Sequence, residues 1–167
     1  RLLASFYVAC DETTVQVLKE NGRKAETKSW MWVRSTPAEE KKIVLFDYSV
    51  SRGSEVAKEL FADYRGFIQS DGLASYHCLE SESTIRIGCN MHGRRRFEQA
   101  AKDGAKSGKD LASVGMNYYQ KIYALEEDIK DKPPDERKKI RDEMVKPIFE
   151  EMKSWSESHR QKEIGRA

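Results

Sequence analysis

The chain has 167 residues, 38% of them hydrophobic and 35% charged, with a formal net charge of +2. That suffices for one domain of ordinary size, or a domain with an insertion, around a modest core. No apolar run reaches the length of a membrane span and nothing resembles a signal peptide, while three cysteines cannot pair completely, so a reducing cytoplasm is the expected compartment. The charge is uneven: between Arg86 and Lys109 seven basic residues (Arg86, Arg94, Arg95, Arg96, Lys102, Lys106, Lys109) stand against Glu98 and Asp103. Such an excess suits a polyanion such as DNA, and it also suits a solvated helix face.

In chain order, Leu3 to Leu18 reads as a first strand or two strand segments, with a turn at Gly22. Trp30-Met31-Trp32-Val33 is the second strand and Lys42 to Tyr48 the third, an antiparallel meander. A helix starts near Ser51-Arg52-Gly53-Ser54-Glu55, with Ser51 or Ser54 as its cap, and Val56, Leu60, Phe61 and Tyr64 share one face before Gly66 terminates it. The next strand starts at Phe67 and ends at Asp71, the acid at its tip. Thr84 to Cys89 is the fifth. A mixed sheet follows, in which the meander meets parallel strands reached through a helical crossover.

From Arg94 to Ile164 there is no strand signal. Tyr118, Ile122, Leu125 and Ile129 line one helical face. Pro133-Pro134-Asp135-Glu136 ends that helix and starts another with acids in its first turn. Ile140, Met144, Ile148, Met152 and Trp155 make a second apolar stripe, with a kink or break expected at Pro147. The two pack as a helical hairpin. The domain reading is residues 1–93 for the α/β part and 94–167 for the helical part. The chain opens at Arg1-Leu2-Leu3 and stops at Gly165-Arg166-Ala167 without a capping signal, so it reads as a piece of a longer protein.

Two acids stand out. Asp11 sits in the apolar strand Tyr7-Val8-Ala9-Cys10-Asp11-Glu12-Thr13, and Asp71 ends Phe67-Ile68-Gln69-Ser70 ahead of Gly72. A carboxylate in apolar surroundings needs a partner, and a divalent metal is one of few that satisfies it. The competing local readings are a turn capped by Asp11 through Thr13 or Thr14, and an ordinary Asp-Gly turn at Asp71. Glu12 would point to the opposite strand face from Asp11 and is set aside as a ligand. Asp47 reads as structural or as a support to the site. Cys89-x-x-His92 invites zinc, yet His77 and Cys78, adjacent to each other, are a poor second pair; a local turn close to the acids fits better. Arg94-Arg95-Arg96 then begins a helix, where cations sit poorly against the dipole, so contact with phosphate is favoured. Trp30 and Trp32 read as sheet residues.

Asp11-Glu12-Thr13, Phe46-Asp47-Tyr48 with Ser51-Arg52, Ser70-Asp71-Gly72-Leu73-Ala74-Ser75-Tyr76, Gly88-Cys89-Asn90-Met91-His92-Gly93-Arg94-Arg95-Arg96-Phe97 and Lys146-Pro147-Ile148, in that order, resemble the insertion-sequence-66 family of bacterial DDE transposases over nearly the whole chain. The resemblance implies a ribonuclease-H-like mixed five-stranded sheet with helices, followed by an α-helical insertion. It implies that Asp11 and Asp71 are the first two acids of an Asp-Asp-Glu triad holding Mg2+ or Mn2+, and that Cys89 and His92 match the family's Cys-x-x-His stretch. Two such ions about 3.5–4 Å apart would serve both ends of a phosphoryl transfer. Implied partners are the element's DNA ends and its target, with a homo-oligomer possible in the transposition complex. The third acid of the family lies in an Asn-Asn-x-x-Glu-Arg setting. No Asn-Asn pair occurs in this sequence, so that acid is expected beyond residue 167, and the parent protein rather than this piece is expected to cleave and join DNA. Two alternatives share many of these residues: a ribonuclease-H-like nuclease without strand transfer, and a non-catalytic DNA-binding or assembly module.

Overall fold

The computed structural model describes residues 1–38, 40–104 and 111–164; Lys106 and Lys109 of the basic stretch lie outside the described residues. The chain divides into two compact units, Arg1–Gly93 and Arg94–Ala167.

In the first unit a 3-10 turn at Leu2–Ala4 precedes β1 (Tyr7–Gln16), β2 (Lys28–Ser35), β3 (Val44–Ser49), α1 (Ser54–Leu60), β4 (Gly66–Ser70), a 3-10 helix at Ala74–Leu79, and β5 (Thr84–Gly88). The five strands lie in the order β3-β2-β1-β4-β5. The meander β1-β2-β3 is antiparallel, whereas β4 runs parallel to both β1 and β5. The expected mixed five-stranded sheet is therefore present. Alternation along β1 sends Val8 and Cys10 to one face, where they join Trp32, Ile68, Val56, Ala57, Phe61, Tyr64 and Tyr76 in the core of this unit. The opposite sheet face bears Phe46, Phe67 and Ile85, all exposed, Phe46 by 67%.

Three local expectations change. The N-terminal residues do not extend β1, because Ala4 and Ser5 close 3-10 bonds onto Arg1 and Leu2. The N-cap of α1 is Gly53 and makes no side-chain cap bond; the Ser51 hydroxyl instead accepts the Gly53 N–H at 3.0 Å and donates to Glu55 at 2.7 Å. The helix stops at Leu60, ahead of Gly66. That glycine opens β4 at φ +136, where a Cβ would strike the Phe6 carbonyl and the Tyr64 hydroxyl.

α2 (Asn90–Gly104) begins in the first unit, and from Arg94 onward belongs to the second, together with α3 (Leu111–Ile129), α4 (Pro134–Ile140) and α5 (Lys146–Ile164). Pro134 occupies the start of α4 with Asp135 and Glu136 in its first turn, where the missing proline N–H costs nothing and the acids meet the helix dipole favourably. α3 and the later helices run antiparallel: Tyr118, early in α3, donates to Glu151 at 3.1 Å, while Arg141 forks onto Glu126, near the end of α3, at 2.8 and 2.6 Å. Phe97 packs against Tyr119 and Trp155 with ring centroids 6.1 and 6.2 Å apart, and Tyr118 lies 5.7 Å from Trp155.

The interruption expected at Pro147 falls just ahead of it. Arg141–Val145 is a π-helical turn joining α4 to α5. An α-helical proline would clash with the carbonyl four residues back, that of Glu143, and leave it unbonded; a wider turn just before it relieves both. The extra residue rephases the stripe. Met144 is 50% exposed, and Val145 is buried in the place expected for it.

Candidate active site

β1 and β4 are adjacent parallel strands at the centre of the sheet, paired Tyr7↔Phe67, Val8↔Ile68 and Ala9↔Gln69. Asp11 and Asp71 each lie two residues beyond the last of these pairs. Asp11 lies within β1, opposite Val33 of β2, so it caps no turn. Its side chain is 57% exposed on the sheet face away from the core, and its Oδ1 accepts the Glu12 N–H at 3.0 Å. Asp71, expected as the last residue of this strand, instead directly follows β4, which ends at Ser70. Its Oδ1 accepts the Leu73 N–H at 2.8 Å, an Asx-type turn, and its carbonyl oxygen accepts from Ser70 at 3.1 Å and Arg86 at 3.4 Å.

Cys89 and His92 form the junction between β5 and α2. The Cys89 N–H donates to the Ser70 carbonyl at 2.8 Å, and the Gly93 N–H to the Cys89 carbonyl at 3.1 Å, which ties the helix start to the tip of β4. From there His92 places Nε2 3.5 Å from Asp11 Oδ2, while its buried Nδ1 has no hydrogen-bond partner among the described residues. Asp11, His92, Cys89, Cys10, Gln69 and Val33 help line an open recess of about 220 Å³. His77 and Cys78 are engaged elsewhere: the His77 ring meets the Arg86 guanidinium at 3.4 Å and the Cys78 thiol donates to the Ser75 carbonyl at 3.1 Å. Among the described residues no group of three or more His, Cys, Asp or Glu is placed to hold a metal.

Glu12, set aside from the sequence, turns out to be the most constrained acid of this region. It does face away from Asp11, but its side chain is only 4% exposed. Tyr76 donates to its Oε2 at 2.6 Å and Arg52 lies 3.3 Å from its Oε1. Burial above all raises its pKa above the usual glutamate value, with the like charges of Asp71 and Asp11 adding to the shift against the lowering effect of Tyr76 and Arg52. The Cys10 thiol, 3.4 Å from the same Tyr76 hydroxyl, is pushed up to about 12, chiefly by burial. No local pattern announces this cluster, since its members come together only through the tertiary fold.

The other candidates sort as follows. Arg94, Arg95 and Arg96 do not begin a helix: α2 starts at Asn90, so they lie a turn inside it and the dipole conflict is relaxed. Arg94 pairs with Glu98 at 3.2 Å, whereas Arg95 and Arg96 are exposed and make no ion pair among the described residues. Asp47 accepts from the buried Arg34 at 3.1 and 2.8 Å, a structural pairing. Trp32 is fully buried, but Trp30 carries the Arg52 guanidinium 4.4 Å above its ring.

The family model for the Transposase IS66 family matches residues 1–166. The chain belongs to the IS66 transposase family. Relatives of this transposase domain include two proteins of Sinorhizobium fredii, strain NBRC 101917 / NGR234. It is 26% identical over 126 residues to "Uncharacterized protein y4hP", covering 67% of this chain and 23% of that protein. It is 24% identical over 160 residues to "Uncharacterized protein y4jD", covering 88% and 30% respectively. The chain thus spans less than a third of the length of either relative. Among solved structures, a chain from the cryoEM structure of the simian T-cell lymphotropic virus intasome in complex with PP2A regulatory subunit B56 gamma matches at a TM-score of 0.33 and 11% identity, over 80% of this chain and 45% of that one; so low a score carries no argument about this fold. Among the described residues of the IS66 domain, no helix is long and apolar enough to cross a membrane.

Proposed function

We propose that this chain carries the first two acids of a DDE transposase on a ribonuclease-H-like sheet, and that the parent protein cleaves and joins DNA by metal-assisted phosphoryl transfer. The observation that supports it best is the parallel pairing of β1 with β4, whose last pair, Ala9↔Gln69, lies two residues before Asp11 on one strand and before Asp71 on the other. In kind, the donors fit a hard divalent cation, since Mg2+ and Mn2+ prefer carboxylate oxygens. Asp11 and Asp71 would hold such an ion, with His92 orienting Asp11 through its Nε2. When bound, the metal supplies charge stabilisation at the phosphate and an activated nucleophile. With only two acids of the triad proposed here and no Asn-Asn-x-x-Glu-Arg stretch in this sequence, weak affinity for a single ion and no strand joining are expected of the chain by itself. Arg94, Arg95 and Arg96 contribute DNA phosphate contacts in this reading, the element ends and target DNA are the partners, a homo-oligomer forms the working complex, and the cytoplasm is its place of action.

The test uses the parent protein with DNA carrying the element's ends. Mg2+-dependent cleavage and joining should disappear in Asp11→Asn and Asp71→Asn while DNA binding persists. Cleavage without joining would favour a hydrolytic nuclease. Binding indifferent to Mg2+ with no chemistry, in wild type and Asp71→Asn alike, would leave a binding or assembly module and sink the catalytic reading.

A further inference from the structure

The two oxygens of the Glu12 carboxylate are taken by two different loops. Oε2 accepts from Tyr76 at 2.6 Å, in the 3-10 helix that begins three residues after Asp71. Oε1 faces Arg52 at 3.3 Å, in the loop between β3 and α1. The loops are also tied to each other, since the Ser75 hydroxyl donates to the Arg52 carbonyl at 2.6 Å. Each arm is braced in turn: Tyr76 is fully buried with its ring edge-on to Trp32 at 5.7 Å, and Arg52 stacks on Trp30 at 4.4 Å. The short path from Tyr76 back to Asp71 is itself closed by hydrogen bonds, Tyr76 N–H to the Leu73 carbonyl at 3.2 Å and Leu73 N–H to Asp71 Oδ1 at 2.8 Å.

Asp71 stands beyond the last residue of β4, so the strand ladder alone does not hold its carboxylate. We propose that Glu12 is a positioning residue for the acid pair: it latches the Asp71–Tyr76 turn and the Arg52 loop onto β1, and so sets where the Asp71 carboxylate stands relative to Asp11. This rests on the reading of Asp11 and Asp71 as metal-holding acids. A buried carboxylate that accepts from Tyr76 on one oxygen and faces the Arg52 cation with the other is a stiff hub, because releasing Tyr76 leaves a buried acceptor unsatisfied and releasing Arg52 leaves the charge without its counterion. Groups that orient metal-holding residues in this way typically change metal affinity by about 10–100-fold when removed.

The experiment is a Mn2+ titration of the 15N-labelled chain, following paramagnetic broadening of its amide resonances. In the wild type, broadening should centre on Asp11 and Asp71 and vanish in Asp71→Asn. If it centres elsewhere or survives that change, the two-acid reading falls and the latch with it. With that control in place, the deciding variants are Arg52→Gln and Tyr76→Phe. Plain electrostatics says that removing the Arg52 cation raises affinity for Mn2+ and that Tyr76→Phe leaves it alone. The latch requires both to lower the affinity, by roughly tenfold, with amide dispersion retained. Arg52 is 40% exposed, so its replacement keeps the test open should Tyr76→Phe fail to fold. Unchanged or tighter binding in Arg52→Gln, with the Asp71 dependence intact, overturns the proposal and leaves the two-acid reading standing.

Discussion

The ring of Phe97 fills the place where a side chain on Gly115 would have to stand. Gly115 is buried in α3, and its missing Cβ lets α2 approach closely enough for Phe97 to reach Tyr119 and Trp155. Gly115→Ala gains helix propensity of up to about 1 kcal/mol but forces the ring out of its slot, and overpacking of this sort costs about 1–3 kcal/mol. The packing term wins, so the variant should show a lower urea midpoint. Tryptophan emission in a Trp30→Phe, Trp32→Phe background reports this unit through Trp155.

Asp47 anchors a buried cation. Arg34 gives two donors to its Oδ2 and a third to the Leu60 carbonyl, and its side chain also lies against Phe61. Asp47→Asn keeps an acceptor but removes the charge, leaving the guanidinium buried without its counterion. A loss of about 1.5–3 kcal/mol is expected from the strength of hydrogen bonds to charged groups, read by chemical denaturation. Arg34→Met together with Asp47→Asn should recover much of it, because a neutral pair of similar size removes the desolvation problem.

Cys10 should resist alkylation. Its thiol keeps its proton up to about 12 against an ordinary 9.0, and it is buried, while Cys78 and Cys89 are partly exposed. Iodoacetamide at pH 8, followed by peptide mass mapping, should label Cys78 and Cys89 well before Cys10. The linkage has a definite sign. The folded thiol binds its proton more tightly than the unfolded one, so its contribution to stability is complete below about pH 9 and is lost as pH rises toward 12. Cys10→Ala should flatten the fall in stability across that window.

If the exposed Arg95 and Arg96 touch phosphates, replacing them changes the salt dependence of DNA binding more than its sequence preference. Each lost phosphate contact on duplex DNA lowers the slope of log K against log salt by about 0.9. Arg95→Gln and Arg96→Gln together should therefore lower it by about twice that, measured by fluorescence anisotropy over a salt series. An unchanged slope would remove these arginines from the interface.

Much of this architecture could be read from local pattern. Apolar runs such as Trp30–Val33 and Thr84–Cys89 mark strands whichever partner they later find, and the heptad-like spacing of Tyr118, Ile122 and Ile129 marks a buried helical face. The errors fall where distant residues decide. Alternation correctly turned Glu12 away from Asp11, but its meaning depended on Tyr76, 64 residues along the chain, and on Arg52. Arg52 arrives on the loop between β3 and α1 and Tyr76 on the connection from β4 to β5, neither of them on β1. Ser51 looked like a helix cap because its hydroxyl could serve; it serves Gly53 and Glu55 instead. Met144 was misplaced because periodicity assumes one helical pitch throughout.

That change of pitch at Arg141–Val145 has a consequence for sequence length. A π-helical turn is an α-helix carrying one surplus residue, so this stretch can lose a residue without the chain being torn. Deleting Met144 would tighten it to ordinary pitch and keep Val145 pointing inward, but it would press the Pro147 ring back against a carbonyl. Pairing the deletion with Pro147→Ala removes that clash. The surplus residue and the proline thus form a matched set, in which each makes the other tolerable.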